Sequence, residues 1–254
     1  MARLTVAQLT ALVGGSASRG TRPLVPDNHI LSVLPAEERE RLLARLEPWR
    51  HRVRESVYEQ GERVQAVVFP LSGVFSLVVD GREPVEIATV GHEGFVGLPV
   101  FLQATLTGAH MAFSQVEGEA LRMDAADFLD AVNEAPALRA ALQRYAMALL
   151  TQVGRSAACN RLHTVQQRAS RWILQTHDRV EADAFVLRAE FLAQMLGEQD
   201  VGPATSALRR QGAITYDGET LEVLDRAALE QASCDCYGIV RHEYERLLGP
   251  VTDG

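Results

Sequence analysis

No apolar run in the 254-residue chain approaches the roughly 18 residues a membrane-spanning helix needs, and its opening, MARLTVAQLTALVGG, lacks the long uncharged core of a secretory signal. A cytoplasmic protein with no membrane partner is expected. Cysteine is scarce: Cys159, Cys234 and Cys236 are too few for a disulfide framework, and a C-x-C pair cannot easily close on itself. A reducing compartment follows. Positive charge is outnumbered, with 25 Lys and Arg against 33 Asp and Glu for a net charge of -8 and a pI near 5.4. Such a surface repels a polyanion on average, which excludes indiscriminate nucleic-acid binding but not a local basic patch. Common catalytic motifs are missing as well: there is no Gly-rich phosphate loop, no G-x-S-x-G and no H-E-x-x-H, and His92-Glu93 is a turn dipeptide without partners. No enzyme is expected.

What is present is a globular chain, 47% hydrophobic, long enough for two domains. Residues 1–29 read as an irregular arm, with GGSASRG and RPLVPDN supplying turn formers. Leu34-Pro35-Ala36-Glu37-Glu38 opens a helix with proline and carboxylates where bare N–H groups favour them; Leu42, Leu43 and Leu46 give its buried face and Pro48 its stop. From about 51 to 124 the period becomes two, with turns at Gly61, Gly73, Gly81, Gly91 and Gly97, which predicts antiparallel strands closing into a barrel or sandwich.

After Pro136, Leu138, Leu142, Tyr145 and Leu149 recur at alternating steps of four and three, continuing to Val153. This is the seam of a helix that pairs with another helix, and a dimer interface is the leading reading; packing on the chain's own barrel is the alternative. CNRLHTVQQRASRWILQTHDRV forms a further helix with Leu162, Val165, Ala169, Trp172 and Ile173 inward and Arg161, Arg168 and Arg171 outward. A short strand at Phe185 to Leu187, helices at Ala189–Leu196 and Pro203–Gln211, and a hairpin turning at Asp217-Gly218 complete a winged helix.

This order of parts resembles the catabolite-activator and fumarate-nitrate-regulator (Crp/Fnr) superfamily of bacterial transcription factors over about residues 30 to 249. The most specific stretches are GHEGFVGLPVFL, ACNRLHTVQQRASRWILQTHDRV, LRAEFLAQMLG and LDRAALEQASCDCYGIVRHEYERLLG. The resemblance implies an α+β fold: an antiparallel, cyclic-nucleotide-binding-like β-roll at 30–132, a dimerisation helix at 133–156 and a winged helix-turn-helix at 157–254. It also implies a homodimer on a palindromic double-stranded DNA operator, with RNA polymerase as a further candidate partner. Family members that bind cyclic nucleotides hold the phosphate with a Gly-Glu pair and an Arg-Ser or Arg-Thr pair, since a guanidinium fork neutralises a buried phosphodiester. Here the corresponding effector-pocket positions are Gly97-Leu98 and Ala109-His110, so cyclic AMP is disfavoured. Iron-sulfur sensors of the family carry an N-terminal cysteine cluster, and no cysteine precedes Cys159. Cys234, Cys236 and nearby His242 lack the second half of a convincing zinc motif, so buried thiols, no metal and no cofactor are expected.

Against the family pattern, EQDVGPAT is about two residues short for a turn plus the start of a recognition helix. Either that helix begins near Glu198 with a kink at Gly202-Pro203, or it begins at Pro203 with Asp200 or Gly202 near the cap; the second is preferred, because proline suits a first turn. Candidate DNA contacts are Arg188, Gln199, Thr205, Ser206, Arg209 and Arg210. Between Phe185 and Asp217, however, Arg188, Arg209 and Arg210 face Glu190, Glu198, Asp200 and Asp217, leaving one net negative charge. A dimeric regulator with an atypical, shortened recognition region is expected. A degenerate relative that no longer binds DNA and serves as a dimerising interaction or ligand-sensing module is the alternative.

Overall fold

A computed structural model of the chain describes residues 28–79, 81, 84–103, 110–180 and 182–249. The arm as far as residue 27 lies outside them, as does Ala109.

Where description begins, the chain is already tied down rather than loose. The Asn28 amide donates to Pro70 O and Gly94 O at 2.9 and 2.7 Å and caps a short helix, α1 (His29–Ser32), whose Ile30 and Leu31 are fully buried. Helix α2 (Ala36–Leu43) follows Pro35, with Glu37 and Glu38 in its first turn. Glu38 has a second use: its carboxylate accepts from Ala137 N and Leu138 N at 3.1 and 3.2 Å, filling the bare N–H groups that open the longest helix among the described residues.

The period-two region folds into two antiparallel sheets. One has the order β1-β7-β3, from Glu47–His51, Gly118–Asp124 and Ala66–Pro70; the other has the order β2-β6-β4-β5, from Ser56–Tyr58, Met111–Val116, Val74–Val79 and Val85–Val90. Inward residues such as Val67, Phe69, Phe75 and Val90 make the first core. A short helix α3 (Leu98–Phe101) sits between β5 and β6, and α4 (Ala125–Glu134) is capped by Asp124 Oδ1, which accepts from Ala126 N at 2.8 Å.

Helix α5 spans Pro136–Leu162 and closes that core, with Tyr145 5.3 Å from Phe95 between ring centroids. It runs past residue 156, and Cys159–Leu162 are its last turn rather than the start of the next helix. The break is set by Thr164: its hydroxyl accepts from Gln167 N while Gln167 Oε1 accepts from Thr164 N, a reciprocal cap that starts α6 at Val165, a helix that ends only at His177.

A second core gathers α6, α7 (Ala189–Leu196), α8 (Gly202–Arg210), α9 (Arg226–Ala232) and a sheet of order β8-β10-β9, from Ala184–Val186, Thr220–Val223 and Ile214–Tyr216. Val78 of β4 belongs to this core too. The last helix, α10 (Cys236–Leu248), returns to the first core, where Val240, Tyr244 and Leu248 are buried. Polar bridges join the cores: Trp172 Nε1 and Ser76 Oγ donate to Glu86 at 2.8 and 2.6 Å, Gln115 donates to Thr176 Oγ1 at 3.0 Å, and Arg179 pairs with Glu93 at 2.8 Å.

Candidate nucleic-acid interface and sensing pocket

The connection between α7 and α8 is built from its turn residues. Gly197 closes α7 in the left-handed conformation at φ +64, and Glu198 N donates back to Ala193 O. Asp200 Oδ1 then accepts from Gly202 N at 2.7 Å, and α8 begins at Gly202 with Pro203 in its first turn, where a missing N–H costs nothing. The preferred reading therefore matches the observed helix to within one residue at each end. Val201, Ala204 and Leu208 face the second core.

Of the candidate contact residues, Arg188, Gln199, Arg209 and Arg210 are exposed and Ser206 is half-buried. Thr205 departs from expectation: it is 5% exposed and its hydroxyl donates to Val201 O or Gly202 O at 3.1 and 3.2 Å, so it serves its own helix. Arg209 and Arg210 lie in the last turn of α8, where the helix dipole favours cations. Among the described residues, neither these two nor Arg188 forms an ion pair.

Two further arginines correct the sequence reading. Arg168 and Arg171, expected to point outward, are 6% and 4% exposed. Helix α6 has no free polar face, because α8, α9 and the strands around Glu86 enclose it. Arg168 donates to Leu196 O at 2.9 Å, at the end of α7, and pairs with Glu198. The carboxylate that looks hostile to a phosphate is thus neutralised from behind, and counting Arg168 brings the local charge from one net negative to zero.

Asp200 is likewise engaged, as is Asp217, which accepts from Glu219 N and Thr220 N at 2.8 and 2.7 Å; those N–H groups hold its carboxyl below the usual range. The hairpin is shifted by one residue from expectation. Tyr216 pairs with Leu221 and Asp217 N donates to Thr220 O, which leaves Gly218-Glu219 as the loop, with Gly218 at φ +99.

At the candidate effector-pocket positions, Gly97 is at φ +132 and a Cβ there would lie 2.6 Å from Val67 Cγ1, while Leu98 packs on the first core. His110 Nε2 lies 3.0 Å from the Tyr58 hydroxyl. Burial lowers the His110 pKa from its usual 6.5, which favours a neutral ring at pH 7.

The expected dimer seam is also corrected. Leu138, Leu142 and Tyr145 are 0% exposed and Leu149 is 4% exposed, all within the chain's own core, because the aromatic cluster of the β-roll and α10 cover that face. The opposite face of α5 carries Met147 and Leu150, 53% and 62% exposed. Exposed Gln143, Gly154 and Ala157 continue it at the same alternating steps, a second and weaker stripe that the sequence reading overlooks.

No family model and no curated protein matches the sequence. Solved structures do. The c-di-GMP responsive global regulator CLP of Xanthomonas campestris is 18% identical, covering 74% of this chain and 99% of its own, with a TM-score of 0.61. FixK2 of Bradyrhizobium japonicum is 15% identical over 74% of this chain and 98% of its own, with a TM-score of 0.62. A transcriptional regulator of the CRP family from Thermus thermophilus is 17% identical over 73% and 96%, with a TM-score of 0.60. No helix among the described residues is long and apolar enough to cross a membrane. A β-rich N-terminal region, a long helix and a helical C-terminal region thus give this chain the fold of the Crp/Fnr transcription regulators.

Proposed function

We propose that the protein is a dimeric, DNA-binding transcription regulator in which α7 and α8 form a helix-turn-helix and the β9–β10 hairpin its wing. The observation that carries this reading is the set of exposed guanidinium groups of Arg188, Arg209 and Arg210, without ion pairs among the described residues, beside acidic residues already engaged within the fold. The chain contains no lysine, so all 25 of its Lys and Arg positions are arginine, the side chain whose planar fork meets phosphate oxygens in pairs. Base reading is the weaker component. The first turn of α8 presents Gly202 and Pro203 rather than long donors, so phosphate contacts dominate and sequence discrimination is modest.

The sensing region is read as one that does not take cyclic AMP. A neutral His110 offers no fixed cation, and Val67 fills the space beside Gly97. Calorimetric titration with cyclic AMP is expected to show no heat of binding.

Fluorescence anisotropy on the protein's own upstream region tests the main reading. Binding at low salt is expected, and Arg209→Gln with Arg210→Gln should flatten the slope of log K against log salt by about 3.6 for the dimer, since two phosphates per protomer are no longer neutralised and each removes roughly 0.9. A double variant with unchanged affinity and slope would refute it. The second reading, an interaction module without DNA, is favoured by the exposed Glu190, Asp200, Asp217, Glu219 and Glu222 on the same unit. Failure to bind any duplex in dilute buffer would select it.

A further inference from the structure

The three thiols that the sequence reading treats as inert meet at one point. Cys159 lies in the last turn of α5, His163 follows as its C-cap four residues on, and Cys234 and Cys236 bracket the start of α10. The four potential ligand atoms all lie within 4.8 Å of one another. Cys159 Sγ is 3.5 Å from Cys234 Sγ, and Cys236 Sγ is 3.8 Å from His163 Nδ1. A tetrahedral zinc ion, with Zn–S near 2.3 Å and Zn–N near 2.0–2.1 Å, sets its ligands about 3.8 Å (S to S) and about 3.6 Å (S to N) apart. The two separations lie within about 0.3 Å of those values. The atoms are too close together to surround a multi-iron cluster, and the donor set, three soft sulfurs and an imidazole, is the one zinc prefers over magnesium or calcium.

We infer that Cys159, His163, Cys234 and Cys236 form a closed site for one divalent transition metal of the zinc class, fastening α10 to the end of α5. Four protein ligands leave no open coordination position, so the site is structural rather than catalytic. Binding breaks three S–H bonds, forms three metal–sulfur bonds and one metal–nitrogen bond, and releases three protons to solvent with no change of oxidation state. The product carries one net negative charge.

A second observation calls for that charge. Arg171, 4% exposed, forms no ion pair within 4.0 Å among the described residues: its Nη1 donates to Ser156 Oγ and Gln175 Oε1 at 3.4 and 3.2 Å, its Nε has no hydrogen-bond partner, and Glu86 acts on it only from beyond contact. A buried guanidinium whose charge is not directly paired is costly, and this one also lies within electrostatic reach of Cys159 and Cys236. A trithiolate-imidazole centre supplies a further negative charge there. The sequence signal is a C-x-x-x-H step at one helix end and a C-x-C step far along the chain; neither half is persuasive alone, and His242, the histidine nearer in sequence, is exposed on α10. The site stands independently of the DNA reading.

The test uses the full chain, purified reduced and without chelator. Elemental analysis is expected to find one zinc per chain. After demetallation, cobalt titration should give a thiolate-to-cobalt charge-transfer band and intense tetrahedral visible bands that saturate at one equivalent. Cys236→Ser should weaken cobalt binding at least roughly 100-fold, since loss of outer contacts alone costs 10–100-fold. His163→Asn, at the half-buried rim, serves as a second variant whose folding is checked by circular dichroism and should weaken binding likewise. A reduced, folded wild-type chain that binds no cobalt, or that shows no charge-transfer band, overturns the inference, as does a Cys234→Ala/Cys236→Ala chain that keeps the band.

Discussion

The two faces of α5 carry the same alternating spacing and meet opposite fates. Leu138, Leu142, Tyr145 and Leu149 vanish into the core, while Met147, Leu150, Gly154 and Ala157 remain at the surface. Spacing of this kind states that a helix packs against something; it does not say against what. The difference lies in bulk and in proximity. The inner stripe is made of large side chains beside Phe95 and Tyr244, already tethered in the same chain, so it is buried without any cost of association. The outer stripe, Met147 and Leu150 flanked by Gln143, Gly154 and Ala157, is interrupted by polar and small residues and stays outside the core.

The largest effect should come from breaking the inner face. Leu142→Ala leaves a cavity at a 0% exposed position and is expected to lower stability by about 2–5 kcal/mol, measured by urea denaturation. A loss below about 1 kcal/mol would mean that the two faces are energetically alike.

Next comes the polar seam where the inner core meets the second one. Glu86 is buried between Ser76 and Trp172, and burial pushes its pKa up to about 7 from 4.5, beyond what those two hydrogen bonds and the charges of Arg171 and Arg179 recover. The folded chain therefore binds more protons than the unfolded one between those values. Stability contributed by this group is complete below pH 4.5 and is lost as pH rises through 7, by roughly 3 kcal/mol in all. Glu93 acts in the opposite sense and in a different window. Burial raises its pKa, but the adjacent Arg179 outweighs that and leaves it below 4.5, so its contribution is present above 4.5 and fades only in stronger acid. Glu86→Gln should flatten the slope of stability between about pH 5 and 7; an unchanged slope assigns the titration elsewhere.

Smaller again is an overpacking test of the inner face. A Cβ at Gly94 would lie 2.1 Å from the Tyr145 ring, so Gly94→Ala must displace an aromatic that is fully buried, at a cost of about 1–3 kcal/mol in thermal melting. If Gly94→Ala melts with wild type, the Tyr145 ring has room that the inner face should not have.

Legibility follows the range of the interaction. The start of α8 is readable because proline and the Asp200 cap act within three residues, and the strand region because glycine turns punctuate a period of two. Arg168 and Arg171 are misread because a helical wheel assigns every charged residue to water, whereas their partners, Glu198, Leu196 O and Ser156, arrive from other segments. The thiol cluster is hidden for the same reason: each half lies on a different helix and gains meaning only when α10 folds back on α5. The seam is legible as a stripe and illegible as a partner.

The outer face gives the smallest change in stability and the sharpest separation. Met147→Glu with Leu150→Glu alters two exposed side chains on a helix whose interior is untouched, so urea denaturation of the monomer should move by no more than about 0.5 kcal/mol per site. In the proposed dimer, with this face set against its copy across a two-fold axis, four carboxylates would be brought together in place of apolar side chains, and like charges in a closing interface oppose association. Sedimentation should then show a folded monomer in place of a dimer, with DNA affinity falling because a single half-site contact replaces two. A double variant that sediments as wild type places the dimer contact on another surface, and the outer stripe of α5 would then be ordinary solvent-facing helix.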